Sequence, residues 1–185
     1  MGITKPTIVF ITNRFSPAVK ILHSCRQLEL LGIVYFQQPG LPDQQLLDYM
    51  WDHRIPHYHN FCGFASSNCK RPDFFAVYSL HKILTKEEID IPGIASLNLH
   101  PSLLPLYKGC DPWRAQFEDH IKVSGFTVHK ITSEIDGGEI ISQKTFEIDY
   151  SLSIEAIIND SVKDVGGPLL RDTLINYNPT NQQKE

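Results

Sequence analysis

Apolar and polar positions follow one another in short blocks along the chain, and the blocks predict strands and helices in turn. Thr7 to Thr12 (TIVFIT) is a β-branched run that reads as a buried strand. Pro17 suits a first helical turn and opens a predicted helix through Leu31, stopped by Gly32. Ile33 to Phe36 predicts a second short strand, Leu41 to Trp51 a second helix, and Ile55 to Tyr58 a brief strand. Residues 59–72, rich in Ser, Asn and Cys, read as a loop. Asp73 to Tyr78 (DFFAVY) predicts a strong strand, Lys86 to Asp90 a short helix, and Ala95 to Leu99 a further strand. Asp111 to His120 reads as helix. Gly125 to Thr132 and Glu139 to Ile148 alternate as two strands around Asp136, Gly137 and Gly138, the pattern of a hairpin. Ser153 to Tyr177 has helical periodicity, and residues 179–185 read as a disordered tail.

Strands alternating with helices, then a final hairpin, predict an α/β fold: a doubly wound, mainly parallel sheet with an antiparallel hairpin edge. Residues 1–178 are expected to form one domain, and 185 residues suffice to bury on the order of 70% of the unfolded surface. Ligands of such sheets bind beyond the carboxyl ends of the strands. Composition changes this picture little, with 42% hydrophobic and 21% charged residues. The formal net charge of −4, with no run of Lys and Arg, argues against a nucleic acid partner. No apolar stretch approaches the ~20 residues that span a bilayer, so no membrane partner is expected. Met1 to Pro6 lacks the apolar core of a signal peptide, and Cys25, Cys62, Cys69 and Cys110 show no CxxC spacing. A reduced, cytoplasmic protein is the expectation.

Two segments carry chemistry. In SLNLHPSLLPLYKG, Asn98 and His100 stand two apart at a strand end, so both side chains leave one face. Pro101 and Pro105 stiffen the loop behind them. An amide and an imidazole there are placed to meet developing negative charge. In GFTVHKITSEIDGGEIISQ, Asp136 precedes two glycines, which lets the backbone turn tightly against a ligand. Thr127 and His129 share a strand face and either line the same cleft or pack in the core.

Taken together, HPSLLP followed by Gly109, then GFTVH about 20 residues after Pro105 and DGG seven residues after His129, resemble the folate-dependent formyltransferase family. The likeness covers roughly Asp73 to Ile148 and implies a Rossmann-like formyltransferase fold. It implies catalytic roles for Asn98, His100 and Asp136, with 10-formyltetrahydrofolate as formyl donor. The donor's pterin is expected against Lys82, Ile83 and Leu84 and the turn from Thr132 through Asp136, with Gly137 and Gly138 beside it. An amine attacks the formyl carbon. Asn98 and His100 would donate to the resulting oxyanion, a single donor contributing about 3 kcal/mol. Asp136 would orient His100 or a water and relay the amine proton. No metal is required, because the donor is already activated.

The acceptor is expected to be a small-molecule amine, met by Arg14, Pro101 and Gly109. The purine-biosynthesis enzyme, phosphoribosylglycinamide formyltransferase, matches best in size and in EIDGGEIISQ. Its phosphate loop is glycine-rich, whereas TNRFSPA here has no glycine; Arg14 and Ser16 remain as possible anion ligands. KGCDPW instead resembles formyltransferases of amino sugars or of carrier-bound amino acids. Enzymes that formylate initiator tRNA carry an RNA-binding extension, and only 37 residues follow Ile148 here. A non-catalytic folate-binding protein is the reading from another class. His53, His57 and His59, next to Cys62, read as an exposed loop facing the acceptor or as a metal site, and no metal is expected.

Overall fold

The computed structural model describes residues 4–36, 43–67 and 70–178. Among the described residues seven strands are formed: β1 (Thr7–Thr12), β2 (Glu29–Tyr35), β3 (His57–Tyr58), β4 (Phe74–Val77), β5 (Ala95–His100), β6 (Val123–Lys130) and β7 (Ile140–Glu147). They pair in the order β3-β2-β1-β4-β5-β6-β7. Pairing is parallel from β3 to β5 and antiparallel for β5–β6 and β6–β7. Helices α1 (Pro17–Ser24), α2 (Gln44–Asp52), α3 (Phe61–Ser66), α4 (Lys86–Ile89), α5 (Pro112–Glu118), α6 (Ile154–Ser161) and α7 (Gly167–Asn176) connect or cover them.

β1 has no solvent-facing residue, which is why its pattern is a continuous apolar run. Ile8 and Phe10 join Val19 and Leu22 of α1 and Leu170 and Leu174 of α7 in the larger core. Val9 and Ile11 turn the other way, into a smaller core with Phe61 and Phe64 of α3. Helices thus cover both faces, as a doubly wound sheet requires.

Local deviations from the expected elements have physical causes. The first helix stops at Ser24 rather than Leu31, and Glu29 to Tyr35 pair in parallel with β1. Helix-forming Glu29 and Leu30 are overridden there by sheet pairing. Gly32 is therefore a strand residue: a Cβ on it would lie 2.8 Å from the Pro56 carbonyl, where the edge strand is approached. Residues 59–72 contain α3, whose Phe61 and Phe64 are buried one turn apart behind an Asn60 cap. α2 begins at Gln44 with Asp43 as its cap, and Leu41 lies outside the described residues, as does the 179–185 tail. The last helical stretch is broken by a π turn at Val162–Gly166. Pro168 follows it and has no N–H to continue the ladder.

Candidate active site

Alternation along β5 and β6 decides which side chains meet. Leu97 and Leu99, with Phe126 and Val128, point into the larger core. Asn98, His100, Thr127 and His129 therefore share the opposite face. Asn98 stands directly across from His129, and His100 across from Thr127.

The HPSLLP loop is fastened over this face by Thr127. Its hydroxyl donates to the Ser102 carbonyl at 2.6 Å and accepts from the Leu104 amide at 3.1 Å. Gln143 donates to both the Thr127 hydroxyl and the Leu104 carbonyl. Gly125 admits Leu103, since a Cβ would lie 2.4 Å from its Cδ2. Of the two readings of Thr127, it is the structural one that the contacts favour. The Leu104–Pro105 peptide is cis.

Asp136 sits at the centre. It adopts a left-handed φ of 48° and presents Oδ2 to the Gly109 amide at 2.8 Å. Oδ2 is also 3.5 Å from His100 Nδ1, and Oδ1 is 3.4 Å from His129 Nε2. The two glycines after Asp136 differ in role. A Cβ on Gly138 would fall 1.9 Å from the Lys130 carbonyl, whereas the atoms nearest one on Gly137 belong to the Glu134 side chain.

Hydrogen bonding sets the tautomers. His100 Nε2 is 2.9 Å from the Tyr107 carbonyl, which can only accept, so Nε2 carries the hydrogen. His129 Nδ1 likewise donates to the Lys130 carbonyl at 2.9 Å. In the neutral form of His100, Nδ1 therefore turns a lone pair toward Asp136. Asn98 Nδ2 donates to His129 Nε2 at 3.1 Å, and its second amide hydrogen remains.

Burial pushes the His100 imidazole down; the Asp136 charge and the Tyr107 carbonyl pull it back up, and the net direction is down. Burial pushes the Asp136 carboxyl up, but the His129 ring, the Gly109 amide and the charges of His100 and His129 outweigh it, leaving it lowered. An ionised carboxylate 3.5 Å from the Nδ1 of a His100 held low is a place to receive one proton.

The other expected site residues are distributed as follows. Lys82 pairs with Glu88 and holds its ammonium over the rings of Phe36 and Phe61. Leu84 is buried in the smaller core, and Ile83 is 71% exposed, so Ile83 offers the one free side chain of the three. Thr132 exchanges hydrogen bonds with the backbone of Glu134. Pro101 accepts from Gln116 through its carbonyl. Arg14 is exposed, and burial raises the Tyr78 phenol while the Arg14 guanidinium beside it acts the other way. His53 stacks on Tyr49 at 4.2 Å and His57 meets His59 edge-on at 6.2 Å. Among the described residues no three His, Cys, Asp or Glu side chains gather as a metal site. His129 is the site residue that residue patterns underweighted; its signal was the cross-strand position opposite Asn98.

Known proteins are similar to part of this chain. The chain is 42% identical over 77 residues to methionyl-tRNA formyltransferase of Borrelia duttonii, covering 42% of this chain and 25% of that protein. It is 40% identical over 85 residues to the bifunctional polymyxin resistance protein ArnA of Wigglesworthia glossinidia brevipalpis, covering 46% of this chain and 12% of that one. The matched part thus spans a quarter or less of the length of these relatives. In fold, the chain is similar to phosphoribosylglycinamide formyltransferase of Bacillus halodurans, with a TM-score of 0.73 at 16% identity over 93% of this chain and 97% of that one. A formyltetrahydrofolate deformylase of Pseudomonas syringae pv. tomato gives a TM-score of 0.72 at 24% identity, over 92% and 60%. No helix among the described residues is long and apolar enough to cross a membrane. With residues 64–174 matching the Formyl transferase family and the fold matching its solved members, the chain belongs to the formyl transferase family.

Proposed function

We propose that residues 1–178 form one catalytic domain that transfers a formyl group from 10-formyltetrahydrofolate to a primary amine of a small-molecule acceptor. The observation that carries the reading is the convergence of Asn98, His100 and Asp136, from two separate segments, on one carboxylate-centred cluster. 10-Formyltetrahydrofolate supplies a formyl group already activated toward an amine. The donor set fits it: Asn98 has an amide hydrogen left, and Ile83 and Ile135 expose apolar surface next to the segments expected to hold the pterin.

The division of labour follows from the hydrogen bonds. Asn98 directs its second N–H at the oxygen that becomes negative when the amine adds. His100 Nε2 is committed to the Tyr107 carbonyl and Nδ1 faces Asp136, so its part is the proton rather than the oxyanion. The proton shed by the amine is taken up between His100 Nδ1 and Asp136 Oδ2 and passed on to the leaving nitrogen. Gly109 holds Asp136 in place for this through its amide.

The net charge of −4 favours a small acceptor over a polyanion. The names of the relatives span an amine on methionyl-tRNA and a polymyxin resistance protein, so the decisive assay is a panel. Tetrahydrofolate release is measured with phosphoribosylglycinamide, nucleotide-linked amino sugars, free and carrier-bound amino acids, methionyl-tRNA, and no amine. Release that depends on a small amine is expected. Equal release without amine would make water the acceptor, and release with methionyl-tRNA alone would overturn the small-molecule reading.

A further inference from the structure

In a doubly wound sheet the turn from the first strand into the first helix is the usual place for a substrate anion, because backbone amides point outward there. In this chain three of those amides, those of Asn13, Arg14 and Phe15, are engaged from within. The Asn13 amide donates to the Ser79 carbonyl at 3.1 Å, and the Arg14 amide to the Thr12 hydroxyl at 3.3 Å. The Phe15 amide donates to Asp43 Oδ2 at 2.8 Å. Pro17 has no N–H, and Val19 closes on the Ser16 carbonyl.

Asp43 is held for this position by two further hydrogen bonds. Its own amide donates to the Tyr35 hydroxyl at 3.0 Å, and its Oδ1 caps α2 by accepting from the Leu46 amide at 2.9 Å. One carboxylate therefore caps α2 and fills the β1–α1 turn with its other oxygen. We propose that Asp43 is a built-in anion that excludes phosphate from this turn. On the formyl-transfer reading above, Asp43 is then a specificity-determining residue: the acceptor is an amine that places no phosphate against the β1–α1 turn. A phosphate there would lose the Phe15 donor and face a fixed negative charge.

The test is a titration of the full chain, labelled with ¹⁵N, with inorganic phosphate, following the Phe15 and Ser16 amide resonances. Wild-type resonances are expected to stay in place. Asp43→Asn retains the Leu46 cap and turns an NH₂ toward Phe15, which frees that amide and adds a donor. Its Phe15 and Ser16 resonances should shift saturably with phosphate. Asp43→Ser, also a good cap, is the second variant should the asparagine protein fold poorly. A saturable shift in the wild type would overturn the proposal, and so would a folded variant whose Phe15 amide ignores phosphate. Neither readout depends on formyl transfer, so a failure of the enzymatic reading is distinguishable. Where transfer is measured, kcat/KM for phosphoribosylglycinamide relative to its dephosphorylated form should rise in Asp43→Asn.

Discussion

The amide of Gly109 donates to Oδ2 of Asp136 at 2.8 Å, joining two segments separated by 27 positions in the chain. Gly109 reaches this geometry with a φ of +96°, where a side chain is strained although nothing lies within 4 Å of a Cβ. Gly109→Ala therefore tests backbone conformation alone. The substitution should cost roughly 1–2 kcal/mol in urea unfolding. It should also raise the apparent pKa of Asp136, since the Gly109 bond is one of the influences that lower it.

Asp136→Asn keeps the shape of the turn and removes the charge. Turnover should fall by roughly 10²–10⁴ while folate binding, measured by calorimetry, is largely kept. Combining it with His100→Ala should add little, because groups sharing one proton act as a unit. Near-normal turnover in a folded Asp136→Asn protein would leave Asp136 as a turn residue only.

The pH profile carries a signed prediction. His100 works neutral and its pKa is lowered from the ordinary 6.5, so the acidic limb of kcat/KM should lie below 6.5. Asp136 raises the His100 pKa and His129 lowers it. The residual activity of Asp136→Asn should therefore show its acidic limb at lower pH, and His129→Ala should move the limb up. Stability runs the same way. A depressed pKa gives stability that is present above the unfolded value near 6.5 and lost as pH falls through the folded one. Thermal scans across that window would detect the loss, and a limb that moves up in Asp136→Asn or down in His129→Ala would refute its assignment to His100.

Thr127→Val removes the hydroxyl that holds Ser102, Leu104 and Gln143 together at a fully buried position. Stability should drop by about 1–3 kcal/mol. Turnover should fall with it, because the loop so fastened carries Tyr107 and Gly109 to His100 and Asp136.

The two glycines of the turn should respond unequally. In Gly137→Ala the new methyl meets the Glu134 side chain, which can swing into solvent. In Gly138→Ala it meets the Lys130 carbonyl, which also accepts from His129. Gly138→Ala should lower both Tm and turnover, and Gly137→Ala should lower them far less.

Much of this was readable from residue order, because the signals are local. A continuous apolar run such as TIVFIT can only be a buried strand in a chain of this kind, and strand–helix alternation leads to a doubly wound sheet. Asn98 and His100 share a face because two residues make one strand period. Their motif, with DGG downstream, carries the family resemblance by itself. The tertiary structure decided what depends on distant partners. Residues 25–31 have helical composition, yet the chain leaves α1 at Ser24 and pairs from Glu29 with β1. Gly32, read as a helix stop, is needed because the Pro56 carbonyl passes over it. The partners of the Lys82 ammonium, Glu88 and the rings of Phe36 and Phe61, are set by packing and not by neighbouring residues. Between the two sequence readings of His129, antiparallel pairing with Asn98 favoured the cleft, and Asp43 reached the β1–α1 turn across 28 positions. Periodicity and turn chemistry are encoded in neighbouring residues; which carboxylate faces which amide is set by packing, and packing belongs to the whole chain.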